Sequence, residues 1–180
     1  NLPKNIVDLD YSIEKNIKNL SDGLNKKLQD ITVCILKRPR HQKIIDELEK
    51  LNVQIKFIED GDVFGAILVA DEKSPTDLYL GIGGGPEGVL AAAALSCLGG
   101  QIQTRLVLNE HEKIRAKKLG IKDFKKKYNI EDMVKGDVIF CATGVTNGDF
   151  VNGIEDLGSS FNAETLVLHN SSNLNKVIKN

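Results

Sequence analysis

Gly81-Ile82-Gly83-Gly84-Gly85-Pro86-Glu87-Gly88 runs without a break into Val89-Leu90-Ala91-Ala92-Ala93-Ala94-Leu95-Ser96-Cys97-Leu98. Four glycines within five residues let the backbone approach a bound group closely. Pro86 stands where a first helical turn accepts proline, the Ala- and Leu-rich stretch favours helix, and Gly99-Gly100 ends it. Asp77-Leu78-Tyr79-Leu80, directly in front, reads as a strand. Strand, flexible loop and helix N-terminus together make the geometry that collects anions. Glu87 then aims a carboxylate at a place where phosphate would be welcome, and a metal ion between the two would remove that conflict. The plainer reading is an acid in a first helical turn, which the helix dipole stabilises by about 0.3–1 kcal/mol. The residues leave both open. The spacing is not that of a dinucleotide fingerprint, and the Lys-Ser/Thr of a phosphate-binding P-loop is missing.

Working outward, strands and helices alternate. Ile13, Ile17, Leu20 and Leu24 form one helix face behind Asp10 or Ser12. Ile31 to Leu36 reads as a strand, and Ile44, Ile45, Leu48 and Leu51 mark a second amphipathic helix. Further strands are expected at Val53 to Ile58, Val63 to Ala70, Leu78 to Ile82, Gln103 to Leu108 and Val138 to Ala142. Glu110 to Leu119 is helical, and Ile121 to Val134 is a charged, partly helical connection. Thr165 to His169 and Leu174 to Ile178 form a hairpin about Asn170-Ser171-Ser172-Asn173. The pattern is that of an α/β fold: a mixed sheet with helices on both faces, residues 1–180 being a single α/β segment.

Composition bounds the partners. Of 180 residues, 41% are hydrophobic and 27% charged, with a net charge of −1, which gives no footprint for nucleic acid or a membrane surface. Aromatics make up 5% and Trp is absent, so stacking platforms for bases are poorly supplied. Cys34, Cys97 and Cys141 are odd in number and set in apolar runs, as buried thiols of a reducing compartment would be. With no membrane-length apolar stretch and no visible signal peptide, a cytoplasmic protein is expected. The sequence opens on Asn1 rather than Met, as a processed product, a trimmed chain or a fragment would.

Polar residues gather after strands, where open α/β sheets bind ligands. Arg38-Pro39-Arg40, Asp60-Gly61-Asp62, the glycine loop and Thr143 to Asp149 are four candidates for one cleft. Two guanidiniums held by a stiff proline suit bidentate contact with phosphate, or they are solvated surface charges opening a helix. Asp60 and Asp62 could accept from sugar hydroxyls, bind a cation, or simply close an Asx-type turn. His41 reads as a helix-start residue and Lys125-Lys126-Lys127 as a solvated face. No Ser-His-Asp arrangement suggests itself, and His41, His111 and His169 lack metal-ligand spacing.

The ordered set Arg38-Pro39-Arg40-His41, Glu59-Asp60-Gly61-Asp62-Val63, Gly83-Gly84-Gly85-Pro86-Glu87-Gly88-Val89 and Phe140-Cys141-Ala142-Thr143-Gly144-Val145-Thr146 resembles the class II fructose-1,6-bisphosphatases. These are metal-dependent sugar phosphatases of the lithium-sensitive superfamily. Asn5-Ile6-Val7-Asp8-Leu9-Asp10 is similar to their segment leading into this half, whereas Asn162 to Asn180 departs from the pattern. The resemblance implies the carboxy-terminal half of a layered sugar-phosphatase fold. It implies that Arg38, Pro39, Arg40, Asp60, Gly61 and Asp62 hold the sugar bisphosphate, that Gly84 touches it through its backbone, and that Glu87 is a metal ligand. Gly85 stands where alanine is more usual, and Arg38 where lysine is also found.

The implied reaction is hydrolysis of the 1-phosphate of fructose 1,6-bisphosphate to fructose 6-phosphate in gluconeogenesis, with Mn²⁺ or Mg²⁺, in a homo-oligomer. The other metal-binding acids, and the threonine that orients the attacking water, would belong to the amino-terminal half of the enzyme. Hydrolysis of this kind generally uses two ions about 3.5–4 Å apart, which one carboxylate cannot hold. The residues therefore name no catalytic side chain here, and the isolated chain is expected to be inactive. The alternative is a non-catalytic sugar-phosphate-binding remnant or regulatory partner.

Overall fold

The computed structural model describes residues 2–179. Helix α1 (Ile13–Leu24) starts on Ser12, whose hydroxyl accepts from the Lys15 N–H at 3.1 Å, and turns its Ile17 and Leu20 inward. Strand β1 (Thr32–Leu36) is buried along its whole length. A 3-10 turn, Pro39–His41, leads into α2 (Gln42–Lys50) and then β2 (Gln54–Ile58). Helix α3 (Asp62–Ile67) follows Gly61, whose φ of 79° lies in the left-handed region that glycine tolerates. After β3 (Leu78–Tyr79) comes α4 (Gly85–Leu98), closed by Gly99 at φ 69°.

Short elements follow: β4 (Thr104–Arg105), α5 (Glu110–Lys118) with an Asn109/Glu112 capping box, β5 (Lys127–Tyr128) and α6 (Ile130–Met133). The chain closes with β6 (Ile139–Thr143), β7 (Glu155–Asp156), β8 (Phe161–Asn162), β9 (Glu164–His169) and β10 (Leu174–Lys179).

These elements stack in layers. Strands β2-β1-β3 make a parallel sheet with β1 central, Cys34 pairing with both Lys56 and Tyr79. One face packs on α1 and α2 through Ile17, Leu20, Ile31, Val33, Leu48 and Val53. Helix α3 covers the other face, and α4 lies beside α3. A second core of Ile67, Ala94, Phe140, Val151, Leu166 and Leu168 joins these helices to the antiparallel sheet β10-β9-β6. Helix α4 is apolar around its circumference, and its buried Ala91, Ala92 and Ala94 are small enough for close neighbours. Near its start, Val89 and Leu90 remain 45% and 50% exposed.

The molecule is α/β, but not with one mixed sheet. Parallel and antiparallel strands segregate into separate sheets, with two further pairs, β4-β5 and β7-β8. The strand expected at Val63 to Ala70 is helix α3 plus a 3-10 turn at Leu68–Ala70. A continuous apolar run carries no periodicity that separates a buried strand from a short buried helix. The strand at Leu78 to Ile82 stops at Tyr79, where the glycine loop begins to turn, and that at Gln103 to Leu108 shrinks to Thr104–Arg105. The expected terminal hairpin forms, Leu174 pairing with His169 and Ile178 with Thr165. Among the described residues no helix is long and apolar enough to cross a membrane.

Candidate functional site

Parallel pairing puts the carboxyl ends of β1, β2 and β3 side by side, and three of the four polar clusters meet there. The Lys37 N–H donates to the Ile58 carbonyl at 3.0 Å, so the Arg38 segment begins against the end of β2. The Arg38 guanidinium donates to the Glu59 carbonyl and lies 3.9 Å from the Glu59 carboxylate. Arg40 turns the other way, its Nε donating to the Ile82 carbonyl at 2.7 Å at the threshold of the glycine loop. Among the described residues the terminal nitrogens of Arg40 make no hydrogen bond, which leaves a cationic fork exposed.

The two aspartates take different stations. Asp60 accepts from the N–H of the next residue, Gly61, at 2.9 Å at the exposed rim, rather than from two residues on as an Asx-type turn would. Asp62 accepts from the Val63 N–H at 2.9 Å through one oxygen. Its other oxygen stands 2.8 Å from where a Cβ on residue 83 would sit, so only a glycine lets this carboxylate lie on the loop. Gly84 is open for a similar reason: a Cβ there would stand 2.2 Å from a Glu87 oxygen. The Glu87 carboxylate therefore folds back over the backbone of residue 84, exposed to solvent, at the amino end of α4. Pro39 opens the turn that carries Arg40.

Tyr79 belongs to this assembly and was not singled out from the sequence. It ends β3 under the loop, its hydroxyl 3.1 Å from the Cβ position of residue 81. Burial pushes its phenol well above the ordinary value, and the Asp62 charge adds to the effect while Arg40 opposes it. The readable signal was a tyrosine two residues ahead of the loop. His41, read as a helix-start residue, does close the 3-10 turn but is 0% exposed and hydrogen-bonded at both ring nitrogens.

The fourth cluster lies elsewhere. Thr143 to Asp149 follows β6 in the antiparallel sheet, Gly144 N–H donating to the Glu164 carbonyl at 2.9 Å. Only Asp149 reaches the parallel sheet, pairing with Lys56 at 2.7 Å. An open recess of about 650 Å³ beside it, lined by Asn147, Asn152, Glu155 and Glu164 among others, contains none of the strand-end residues. Its Glu164 is engaged by Lys179 and Asn152. The three polar clusters that meet lie instead on the exposed shelf at the strand ends.

Two other sequence readings change. Lys126 and Lys127 are not a free charged face: Lys127 bridges Asp8 and Asp10 at 2.7 and 2.8 Å, and Lys126 pairs with Asp132 at 2.8 Å. Lys127 holds both aspartate carboxyls below their ordinary range, with Arg105 adding to the effect at Asp10. Asp137, His169 and Ser172 do come together, His169 lying 2.9 Å from Asp137 and 2.8 Å from the Ser172 hydroxyl. Both Ser171 and Ser172 belong to the turn that follows His169, and Asn170 of that turn accepts from the Val138 N–H at 3.1 Å. The group stitches the β9–β10 turn to the start of β6.

Among the described residues no three His, Cys, Asp or Glu side chains lie close enough to hold a metal ion. Glu87, expected from the family resemblance as a metal ligand, belongs to no such group among the described residues.

Comparison with known proteins matches the chain to one family. The sequence profile of the family described as bacterial fructose-1,6-bisphosphatase, glpX-encoded, matches residues 1–180. A fructose-1,6-bisphosphatase class 2 from Haemophilus influenzae is 38% identical, the alignment covering 94% of this chain and 55% of that protein. The Escherichia coli K12 fructose-1,6-bisphosphatase 1 class 2 is 37% identical, covering 94% and 54%. A D-fructose 1,6-bisphosphatase class 2/sedoheptulose 1,7-bisphosphatase from Synechococcus is 34% identical, covering 94% and 53%. The chain spans about half the length of these relatives and matches their carboxy-terminal part.

Proposed function

The chain belongs to the glpX-encoded family of bacterial fructose-1,6-bisphosphatases, and from that premise we propose that it supplies the sugar-bisphosphate-binding part of a metal-dependent phosphatase. The observation that carries this reading is the junction at Ile82, where the exposed Arg40 side chain meets the glycine loop through its Nε and leaves its terminal nitrogens without a hydrogen bond among the described residues. A phosphate set there would meet a charged fork from one side and backbone N–H groups at the start of α4 from the other. Asp60 and Asp62, at the rim and on the loop, offer acceptors to sugar hydroxyls. Arg38, partly engaged by Glu59, adds charge.

Glu87 would give one carboxylate to Mn²⁺ or Mg²⁺, an ion that polarises the phosphoryl oxygen when bound. The remaining donors, and the group orienting water, would come from the portion of the relatives that this chain does not span. The exposed Val89 and Leu90, beside Glu87 on an otherwise apolar helix, favour such a covering body. The reaction would release the 1-phosphate of fructose 1,6-bisphosphate, a gluconeogenic step, in a cytoplasmic homo-oligomer.

Calorimetric titration with fructose 1,6-bisphosphate tests the binding role, and phosphate release with Mn²⁺ tests the chemistry. Binding without release by this chain, and release once an amino-terminal half from a relative is added, is the expected pair of results. A chain that binds no sugar bisphosphate under either condition would sink the proposal. A second reading, a binding module without turnover, is favoured by the lack, among the described residues, of any three His, Cys, Asp or Glu side chains close enough to hold an ion. It predicts binding but no release with the added half.

A further inference from the structure

We propose that His41 is a positioning residue that sets the distance between the phosphate-gripping arginine and the glycine loop, acting through the backbone of Ile82. The inference rests on the sugar-bisphosphate reading of the shelf.

His41 is 0% exposed, buried beneath the turn that presents Arg40. Its Nδ1 lies 2.8 Å from the Leu36 carbonyl at the end of β1. Its Nε2 lies 2.8 Å from the Ile82 backbone nitrogen, forty-one positions along the chain. A backbone N–H can only donate, so Nε2 must accept, and the ring hydrogen must be on Nδ1, donating to Leu36. The Ile82 carbonyl, 3.2 Å from the same Nε2, is instead served by Arg40 Nε at 2.7 Å. Consecutive residues thus take both polar groups of one peptide position, His41 its N–H and Arg40 its carbonyl.

The loop beyond needs such a fixture. Gly83, Gly84 and Gly85 have no side chains to anchor them, and all three are exposed. Ile82, just before them, is linked to β1 through the His41 ring. Without the His41 acceptor, Ile82 would keep only its hydrogen bond from Arg40 among the described residues. That same guanidinium would then have to hold the loop and meet the ligand. With His41 in place, the spacing between the Arg40 fork and the Gly84 backbone is set before any anion arrives, which lowers the ordering cost of binding.

Two substitutions separate the two ring nitrogens. In H41N the amide overlays Nδ1 and keeps the Leu36 contact but loses the acceptor for Ile82. In H41Q the side-chain carbonyl overlays Nε2 and keeps the Ile82 contact. We expect H41N to bind fructose 1,6-bisphosphate about tenfold more weakly, with amide hydrogen exchange at Ile82 accelerated about tenfold or more, as for a lost buried hydrogen bond. H41Q should stay within about threefold of wild type on both readouts, since the acceptor is retained.

An H41N chain that binds like wild type overturns the positioning role and leaves the sugar-phosphate reading standing. Equal losses in H41N and H41Q also overturn it, because ring volume rather than the acceptor would then matter. A wild-type chain with no sugar-bisphosphate binding overturns the reading of the shelf and the positioning role together. Should H41N fail to fold, ¹⁵N resonances of the wild-type imidazole decide: hydrogen on Nδ1 with Nε2 accepting supports the clamp, and hydrogen on Nε2 overturns it.

Discussion

The two main sheets are covered differently, and the candidate chemistry follows the cover. In the parallel sheet every residue of β1 is buried between helices, and its strand ends carry Arg38, Arg40, Asp60, Asp62 and the glycine loop. In the antiparallel sheet Phe140, Leu166 and Leu168 face the core, while Ile139, Cys141, Leu174 and Ile178 face outward and β10 is exposed along its length. A strand locked on both faces can hold a side chain at its end to within hydrogen-bond tolerance. A strand held on one face has a looser frame to offer.

The comparison breaks first on packing. Ile35→Ala, in the fully buried strand, should lower unfolding free energy by about 2–4 kcal/mol through lost burial and a residual cavity. Ile139→Ala, on the open face of the other sheet, should stay within about 0.5 kcal/mol in the same urea titration. Equal losses would mean that the outer face is covered in solution.

Ligand binding sharpens it next. Arg40→Ala should weaken binding of fructose 1,6-bisphosphate by about 1.5–3 kcal/mol, the worth of a charged hydrogen bond. Lys176→Ala, on the exposed strand β10, should leave the calorimetric dissociation constant unchanged. An unaltered constant for Arg40→Ala would remove the strand-end shelf as the phosphate site.

Acid tests the antiparallel sheet. Hydrogen bonds from Lys179 and Asn152 hold the Glu164 carboxyl down to about 2 from its ordinary 4.5. Its folded value is depressed, so its contribution is present above about pH 4.5 and is lost as pH falls toward 2. Glu164→Gln should therefore flatten the fall in melting temperature across that window, with less difference between wild type and variant at its acid end.

The smallest effect is expected at Gly85. A Cβ there meets nothing within 4 Å, and the residue opens α4. Gly85→Ala should raise stability by about 0.5–1 kcal/mol by restricting the unfolded chain, visible as a small rise in melting temperature. A fall would mean that the loop needs the glycine's freedom.

What could be read from the sequence was local. The start of α1, left between Asp10 and Ser12 and taken by Ser12, the Ala-rich helix and the hairpin around Asn170 to Asn173 each carry their own signal in adjacent residues, and each forms. Val63 to Ala70 misled because its apolar run suits a buried strand and a buried helix equally. The candidate site was legible as residue types after strands, and the parallel pairing brings three of the four clusters together. Its joints were not legible. Ile82 meets Arg40 and His41 across about forty intervening residues, and Asp62 meets Gly83 across about twenty. Tyr79 carries no local signal of its contacts beneath the loop, which depend on where Gly81 and the Asp62 charge lie against it.

The three thiols sit at three depths, and this gives the molecule a built-in clock for its own opening. Cys34, in the middle of β1, is buried, and burial raises its thiol to about 11; Cys97 on α4 is half-covered, and Cys141 on β6 faces outward. A thiol reagent applied to the folded chain would mark Cys141 first and Cys34 last. With denaturant added in steps, the order of marking would then report which sheet yields first, using chemistry the chain already carries.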